Sequence, residues 1–299
     1  RSARKLLLEK NSNLVQQAAT RVFEAFTFDP LPPAGAPRST PAPPDKTGGS
    51  WWTALLPGAG KRPDQRGFER SAPAAARRRE QMVMGIPRLL NMYYYAPFFS
   101  TYFRALGVGR VVYSDYTSQR LWQEGNIWGA IDPCFPAKVA PAHIYNLLEK
   151  KSPTHICFPI ITHLESTVES TLGNNACVIQ MGTPEVAEAV FTRDRDHFAE
   201  RGVSYWKPFV RMDRPAEAAG ELFEYFEERL GISEDENAWA VDQAYAANAR
   251  YLARLQVEGR QIINQLVTED RMGVLVIGHP YHHDPGFNHG ILEELQVRG

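Results

Sequence analysis

The sequence predicts an α/β protein with a parallel sheet, and three observations carry that prediction. Short β-prone runs recur from residue 82 onward, at Met82–Ile86, Arg110–Tyr113, Thr154–Pro159 and Cys177–Met181. Segments with helical periodicity separate them, at Pro97–Leu106, Ala137–Lys150 and Pro184–Phe191. Parallel strands need a crossover, and a helix is the usual one, so this alternation argues for βαβ units. Pro97 and Pro184 also fall where a first helical turn tolerates a missing N–H, with Thr183 placed to cap the second.

Before that alternation the chain has a different character. Residues 1–82 carry 14 Lys/Arg against 7 Asp/Glu, and ten of the 22 prolines fall before residue 74. Leu7, Leu14, Val15, Ala18, Val22, Ala25 and Phe26 recur at helical spacing, which predicts one helix over 3–26. Residues 29–50 are rich in Pro, Gly, Ser and Thr and read as a mobile linker. Trp51-Trp52 opens a short apolar island, and Arg77-Arg78-Arg79 reads as a solvated basic face.

The second half reads as follows. Leu222, Phe223, Phe226 and Leu230 form a helical stripe closed by Gly231. Ser233 with Glu236 three residues on is a capping-box signature for a helix running to Leu266. Gly273–Gly278 (Gly-Val-Leu-Val-Ile-Gly) reads as a buried strand, followed by a loop and a helix from about Asn288. A lone strand and helix cannot close a core, so the chain reads as a fragment of a longer polypeptide. The expected organisation is an N-terminal helix (1–27), a Pro-rich basic linker (28–82) and an α/β domain (83–212). A helical connection (213–269) and the truncated start of a second α/β domain (270–299) complete it.

Composition excludes several classes. The 299 residues are 43 % hydrophobic and 22 % charged, ordinary for a globular chain. A net charge of −1 gives no global argument for nucleic acid or an anionic membrane. No apolar run is long enough for a bilayer span. Three cysteines are too few for a disulfide scaffold, so a reducing, cytoplasmic setting is expected.

The segment Asp132-Pro133-Cys134-Phe135-Pro136-Ala137-Lys138 is the most informative. Cys134 would precede a helix N-terminus, where free N–H groups favour a thiolate, and Lys138 adds positive charge. A buried cysteine on a proline-punctuated turn is the bland alternative. Cys157 reads as a small apolar filler in a strand, and Cys177 as the start of the next. Their spacing, Cys-x22-Cys-x19-Cys, matches no short metal signature. The loop 279–289 packs four histidines and Asp284 into eleven residues beyond a strand. It suits metal or anion binding or acid–base work, or is simply a polar loop. Pro57–Arg62 is no phosphate loop, because Leu55 stands where the first glycine belongs and Arg62 replaces Ser/Thr. The aromatic run over 92–99 reads as packing.

Together these segments resemble a known family. Gly85-Ile86-Pro87-Arg88-Leu89-Leu90-Asn91-Met92, Ala96-Pro97-Phe98-Phe99, 112–118 (Val-Tyr-Ser-Asp-Tyr-Thr-Ser), 131–138 and Gly182-Thr183-Pro184-Glu185 resemble the acyl-CoA dehydratase activase-related proteins. These large bacterial proteins join ATPase modules, like the 2-hydroxyglutaryl-CoA dehydratase activator, to a region like the iron–sulfur dehydratase subunits. The resemblance covers about 83–299. It implies Rossmann-like domains and a [4Fe–4S] cluster serving low-potential electron transfer or dehydration of a 2-hydroxyacyl-CoA. It implies as partners the ATPase activator modules of the same longer chain and an acyl-CoA. Cys134 matches the family's Cys-aromatic-Pro-x-Lys motif and Cys177 a later cysteine. The candidate metal ligands are thus Cys134, Cys177 and Cys157, and the candidate cofactor-binding residues are Lys138 and His282.

One departure stands out. Relatives place a cysteine directly after Phe-Pro at the end of the third strand. Here Phe158-Pro159 is followed by Ile160, with Cys157 deeper in the strand. Cys177, at the start of its own strand, is expected towards the opposite edge from Cys134. Cluster loss and completion by residues beyond Gly299 both remain open. So do a cluster-free scaffold docking the ATPase modules to a partner, and a zinc site built from Cys134 and the histidine loop. No ATPase signature occurs in the chain.

Overall fold

The computed structural model describes residues 3–37, 66–129, 134–166, 171 and 173–298. The apolar island at 51–56 and most of the Pro-rich stretch lie outside the described residues. Helices α1 (Ala3–Lys10), α2 (Leu14–Arg21) and α3 (Pro73–Glu80) precede strand β1 (Val83–Ile86). Then come α4 (Met92–Ala105), β2 (Arg110–Tyr113), α5 (Gln119–Gly125), α6 (Phe135–Lys138) and α7 (Ala140–Lys150). β3 (His155–Cys157), β4 (Ile160–His163), α8 (Val178–Thr192), β5 (Ser204–Trp206) and β6 (Phe209–Arg211) follow. The last helices are α9 (Pro215–Phe226), α10 (Glu234–Thr268) and α11 (Ile291–Arg298).

The fold is α/β around a parallel sheet, as expected. Four strands lie in the order β2-β1-β3-β5, and β4 pairs with β6, all parallel. The two sheets are one surface bent at a pair of prolines. Cys157 faces Trp206 in the first ladder and Ile160 faces Phe209 in the second. Between them lie Pro159 and Pro208, which cannot donate to a ladder and so interrupt it on both strands. Backbone bonds from Phe158 to Trp206 O (2.8 Å) and Ile160 to Pro208 O (2.8 Å) carry the pairing across the bend.

Side chains alternate across the sheet and divide the core into two layers. Met84, Ile86 and Cys157 face an aromatic layer with Tyr93, Phe98, Phe99, Tyr102, Phe103 and Phe226. There α4 packs along α10. Ile156 faces the other layer, with Ile144, Leu147, Ala187 and Phe191 of α7 and α8. Gly85 keeps that face open: a Cβ there would stand 3.1 Å from the Pro153 side chain.

Several local expectations are corrected. The helix over 3–26 is two helices, because Asn13 accepts from the Gln16 N–H and starts a new one. Pro97 and Pro184 lie inside α4 and α8 rather than in first turns. Both are buried, so packing offsets the lost backbone bond. The run Cys177–Met181 is not a strand but the beginning of α8, with Cys177 at its N-cap. Arg79 of the basic triplet is 1 % exposed. It donates to the carbonyls of Leu106, Leu230 and Gly231 and pairs with the buried Glu236. Gly273–Gly278 forms no strand among the described residues, and Val274, Leu275 and Ile277 are 64 %, 84 % and 87 % exposed. A strand needs a ladder partner, and none of the described strands reaches it. The capping box at Ser233 and Glu236 forms as expected.

Candidate functional site

The strand order places a topological switch between β1 and β3. From β1 the chain moves outward to β2 through α4, then crosses back over the other face through α5 to α7 to reach β3. In open α/β sheets, ligands bind beyond the carboxyl ends of the strands at such a point.

Cys134 is the N-cap of α6, which runs through Val139 into α7. Pro136 and Pro141 occupy the early turns, where their missing N–H costs nothing. Cys134 is half-buried and Lys138 is exposed. Cys177 is exposed at the N-cap of α8, and α6 packs against α8. After β4 the chain folds back antiparallel to it, with His163 opposite Asn175, and Cys177 opens α8, a helix packed on α6. Recasting Cys177–Met181 as a helix start thus brings Cys177 towards the helix that Cys134 opens, not to the expected opposite edge.

Tyr281, from the segment after α10, joins them. Burial raises its phenol pKa, the Cys134 and Cys177 thiols raise it further, and a hydrogen bond from the Gln180 side chain pulls it back. The phenol thus lies within electrostatic reach of both cysteines. Phe135, next to Cys134, is held between Trp122 (5.6 Å) and Phe287 (5.7 Å). The segment 280–288 therefore lies over the start of α6.

Cys157 is elsewhere. It is fully buried in the aromatic layer, on the other face of the sheet from α7 and α8. Burial pushes its thiol pKa up, away from the metal-binding thiolate.

The histidine loop does not converge on the thiols. His282 is exposed beside the Tyr281 ring (4.7 Å), and His279 stacks on that ring at 5.1 Å. His283 has its pKa lowered by burial first and by His282 second. Among the described residues no three His, Cys, Asp or Glu side chains form a metal-holding group.

Neither curated proteins nor solved structures match the chain. Residues 83–299 match the profile of the CoA enzyme activase uncharacterised domain. The chain belongs to that family. The match begins at β1 and covers both sheets, the cysteine-bearing helix starts and the loop with Tyr281.

In this CoA enzyme activase domain, two of the three cysteines share an edge and the third is sealed on the opposite face. A [4Fe–4S] cluster held wholly by this chain's cysteines does not fit that arrangement.

Two features of this domain were missed in the sequence. One is a buried polar chain. The Arg88 N–H donates to Ser114 Oγ (2.8 Å), which meets His143 Nδ1 (2.8 Å). His143 Nε2 meets Thr117 Oγ1 (3.0 Å), which donates to Asp284 Oδ2 (2.9 Å). Burial holds the His143 pKa down at about 3, with the Arg88 charge adding to it, so the imidazole is neutral. Asp284 also accepts from Tyr93 Oη, the Thr117 N–H (3.3 Å) and the Gly286 N–H (2.7 Å). Burial raises its pKa and these donors oppose the rise. The other feature is Glu165 beyond β4, whose pKa burial, then Asp213, raises to about 7. Nothing local in either stretch marks it, because the partners lie far away in sequence.

Proposed function

We propose that residues 83–299 form a dehydratase-like unit of an acyl-CoA dehydratase activase-related protein, with its working edge at Cys134 and Cys177. In this reading the two thiolates are part of the ligand set of a [4Fe–4S] cluster, and the remaining ligands come from outside the described residues. A bound cluster of this kind supplies low-potential electrons, which suits electron transfer to, or dehydration of, a 2-hydroxyacyl-CoA. The partners that follow from the family are a CoA-dependent dehydratase system and an acyl-CoA. Lys138 and the helix starts would meet the negative charge of cluster or substrate.

The observation that supports this reading is that Cys134 and Cys177 open two packed helices and both lie within electrostatic reach of Tyr281. Iron and acid-labile sulfide, measured after anaerobic purification, test it. Cys134→Ala and Cys177→Ala should each lose the iron, and Cys157→Ala should keep it. Iron content unchanged by Cys134→Ala, or absent from the parent protein, contradicts the proposal.

One observation favours a second reading, a scaffold that docks ATPase modules to a partner. The run Gly273–Gly278 is apolar at four successive positions and exposed throughout, a composition that suits a sheet interior completed by another α/β unit. Amide exchange over 274–277 in the protein isolated with its natural partners reads this directly. Protection supports docking and free exchange opposes it.

A further inference from the structure

We propose that residues 280–288 form a strap across the Cys134 edge, with Asp284 as the positioning residue that latches it. This rests on the cysteine edge being the working site.

The polar chain beneath Asp284 has one direction. The Thr117 hydroxyl donates to Asp284 Oδ2, so its oxygen accepts from His143 Nε2–H. The neutral imidazole then has a bare Nδ1, which accepts the Ser114 hydroxyl proton. Ser114 Oγ in turn accepts the Arg88 N–H. With Tyr93 Oη and the N–H groups of Thr117 and Gly286, every hydrogen-bond partner of the Asp284 side chain among the described residues donates to it. A carboxylate is the side-chain group that accepts all of these on two oxygens.

The strap is fitted sterically as well. A Cβ on Gly286 would stand 2.6 Å from Thr117 backbone and side-chain atoms, so the strap backbone lies directly on the β2 exit loop. Phe287 is 6 % exposed in the α7–α8 layer and meets Phe135, the residue after Cys134. The 3-10 turn Pro280–His283 packs on both α4 and α2. Asp284 is thus the polar anchor, Phe287 the apolar one, and Tyr281 is the group they hold over the thiols. Tyr93 of α4 and Thr117 after β2 bond Asp284 directly, and His143 of α7 is joined to it through Thr117, all more than a hundred residues away in sequence.

The test is thiol alkylation of the iron-free chain, with each cysteine quantified by peptide mass spectrometry. In the parent protein Cys177 reacts fastest, Cys134 more slowly, and Cys157 stays unmodified until the chain unfolds. Asp284→Ala should raise the Cys134 rate at least about five-fold. It should change Cys177 less than two-fold and leave Cys157 silent. Asp284→Asn, which brings an amide donor among donors, should act in the same sense, and Phe287→Ala should do so from the apolar side. An unchanged Cys134 rate in Asp284→Ala overturns the proposal. If Cys157 reacts in step with Cys134, Asp284 is a general stability residue and the strap reading fails. Tyr93→Phe, which removes one donor, guards against outright misfolding: a Cys134 rise ahead of Cys157 supports the latch, and no rise contradicts it. Iron content is read separately, so the strap and the cluster proposals fail independently.

Discussion

On one face of the sheet a thiol is sealed among aromatic rings; beyond its carboxyl edge two thiols stand at helix starts. Cys157 lies with Tyr102 and Phe226 in the aromatic layer, without solvent contact. Cys134 and Cys177 occupy the N-caps of α6 and α8, half-buried and exposed. The residue type is the same and the chemistry available to it is opposite. Burial penalises the thiolate at Cys157, whereas Cys134 and Cys177 each stand in reach of solvent at a helix start. A cysteine count therefore says little about a metal site until the strand pleat and the helix starts are known.

Charge should break the contrast most sharply. Cys157→Asp places a carboxylate in a fully buried aromatic layer, and should cost at least about 4 kcal/mol by denaturant titration. A loss under about 1 kcal/mol would mean that the site is hydrated, and the two environments are not distinct.

The polar chain behind the cysteine edge gives the next effect. His143 titrates near 6.5 when unfolded and at about 3 in the fold. The unfolded chain thus binds more protons between these values. The stability contributed is present above pH 6.5 and is lost as pH falls towards 3, by roughly 3–5 kcal/mol. His143→Gln should flatten that acid limb in a pH series of melts. Glu165 has the opposite sign. Its folded pKa is raised from 4.5 to about 7, so its contribution is present below 4.5 and lost as pH rises through 7. Glu165→Gln should remove about 3 kcal/mol of that dependence.

The smallest expected effect is at the candidate ligands. Cys134→Ser and Cys177→Ser should each shift stability by no more than about 0.5 kcal/mol, because neither side chain is fully buried. A loss above about 2 kcal/mol in either would assign that cysteine to the core.

Much of the fold was legible in the chain, for identifiable reasons. β1, β2 and β3 follow from short β-prone runs between helical stretches, and the Ser233 capping box marked the start of α10. The Rossmann-like arrangement and the family were legible in the motifs around Gly85, Cys134 and Gly182. Cys177 was misplaced because Cys-Val-Ile-Gln-Met has equal claim to strand and helix, and Pro184 suggested a later start. Gly273–Gly278 has the composition of an interior strand. Composition fixes what a run can pair with, while exposure depends on which neighbours are present. Asp284 was visible only as one acid in a histidine-rich loop, since Tyr93, Thr117 and His143 are brought to it by tertiary packing alone.

Cross-linking by a short bis-maleimide, followed by peptide mapping, tests most directly whether Cys134 and Cys177 share one edge while Cys157 is shut away. The predicted product joins the Cys134 and Cys177 peptides within one chain and leaves the Cys157 peptide unmodified. A product joining Cys157 to either of them, or failure to link Cys134 and Cys177 when both are singly reactive, would contradict the account.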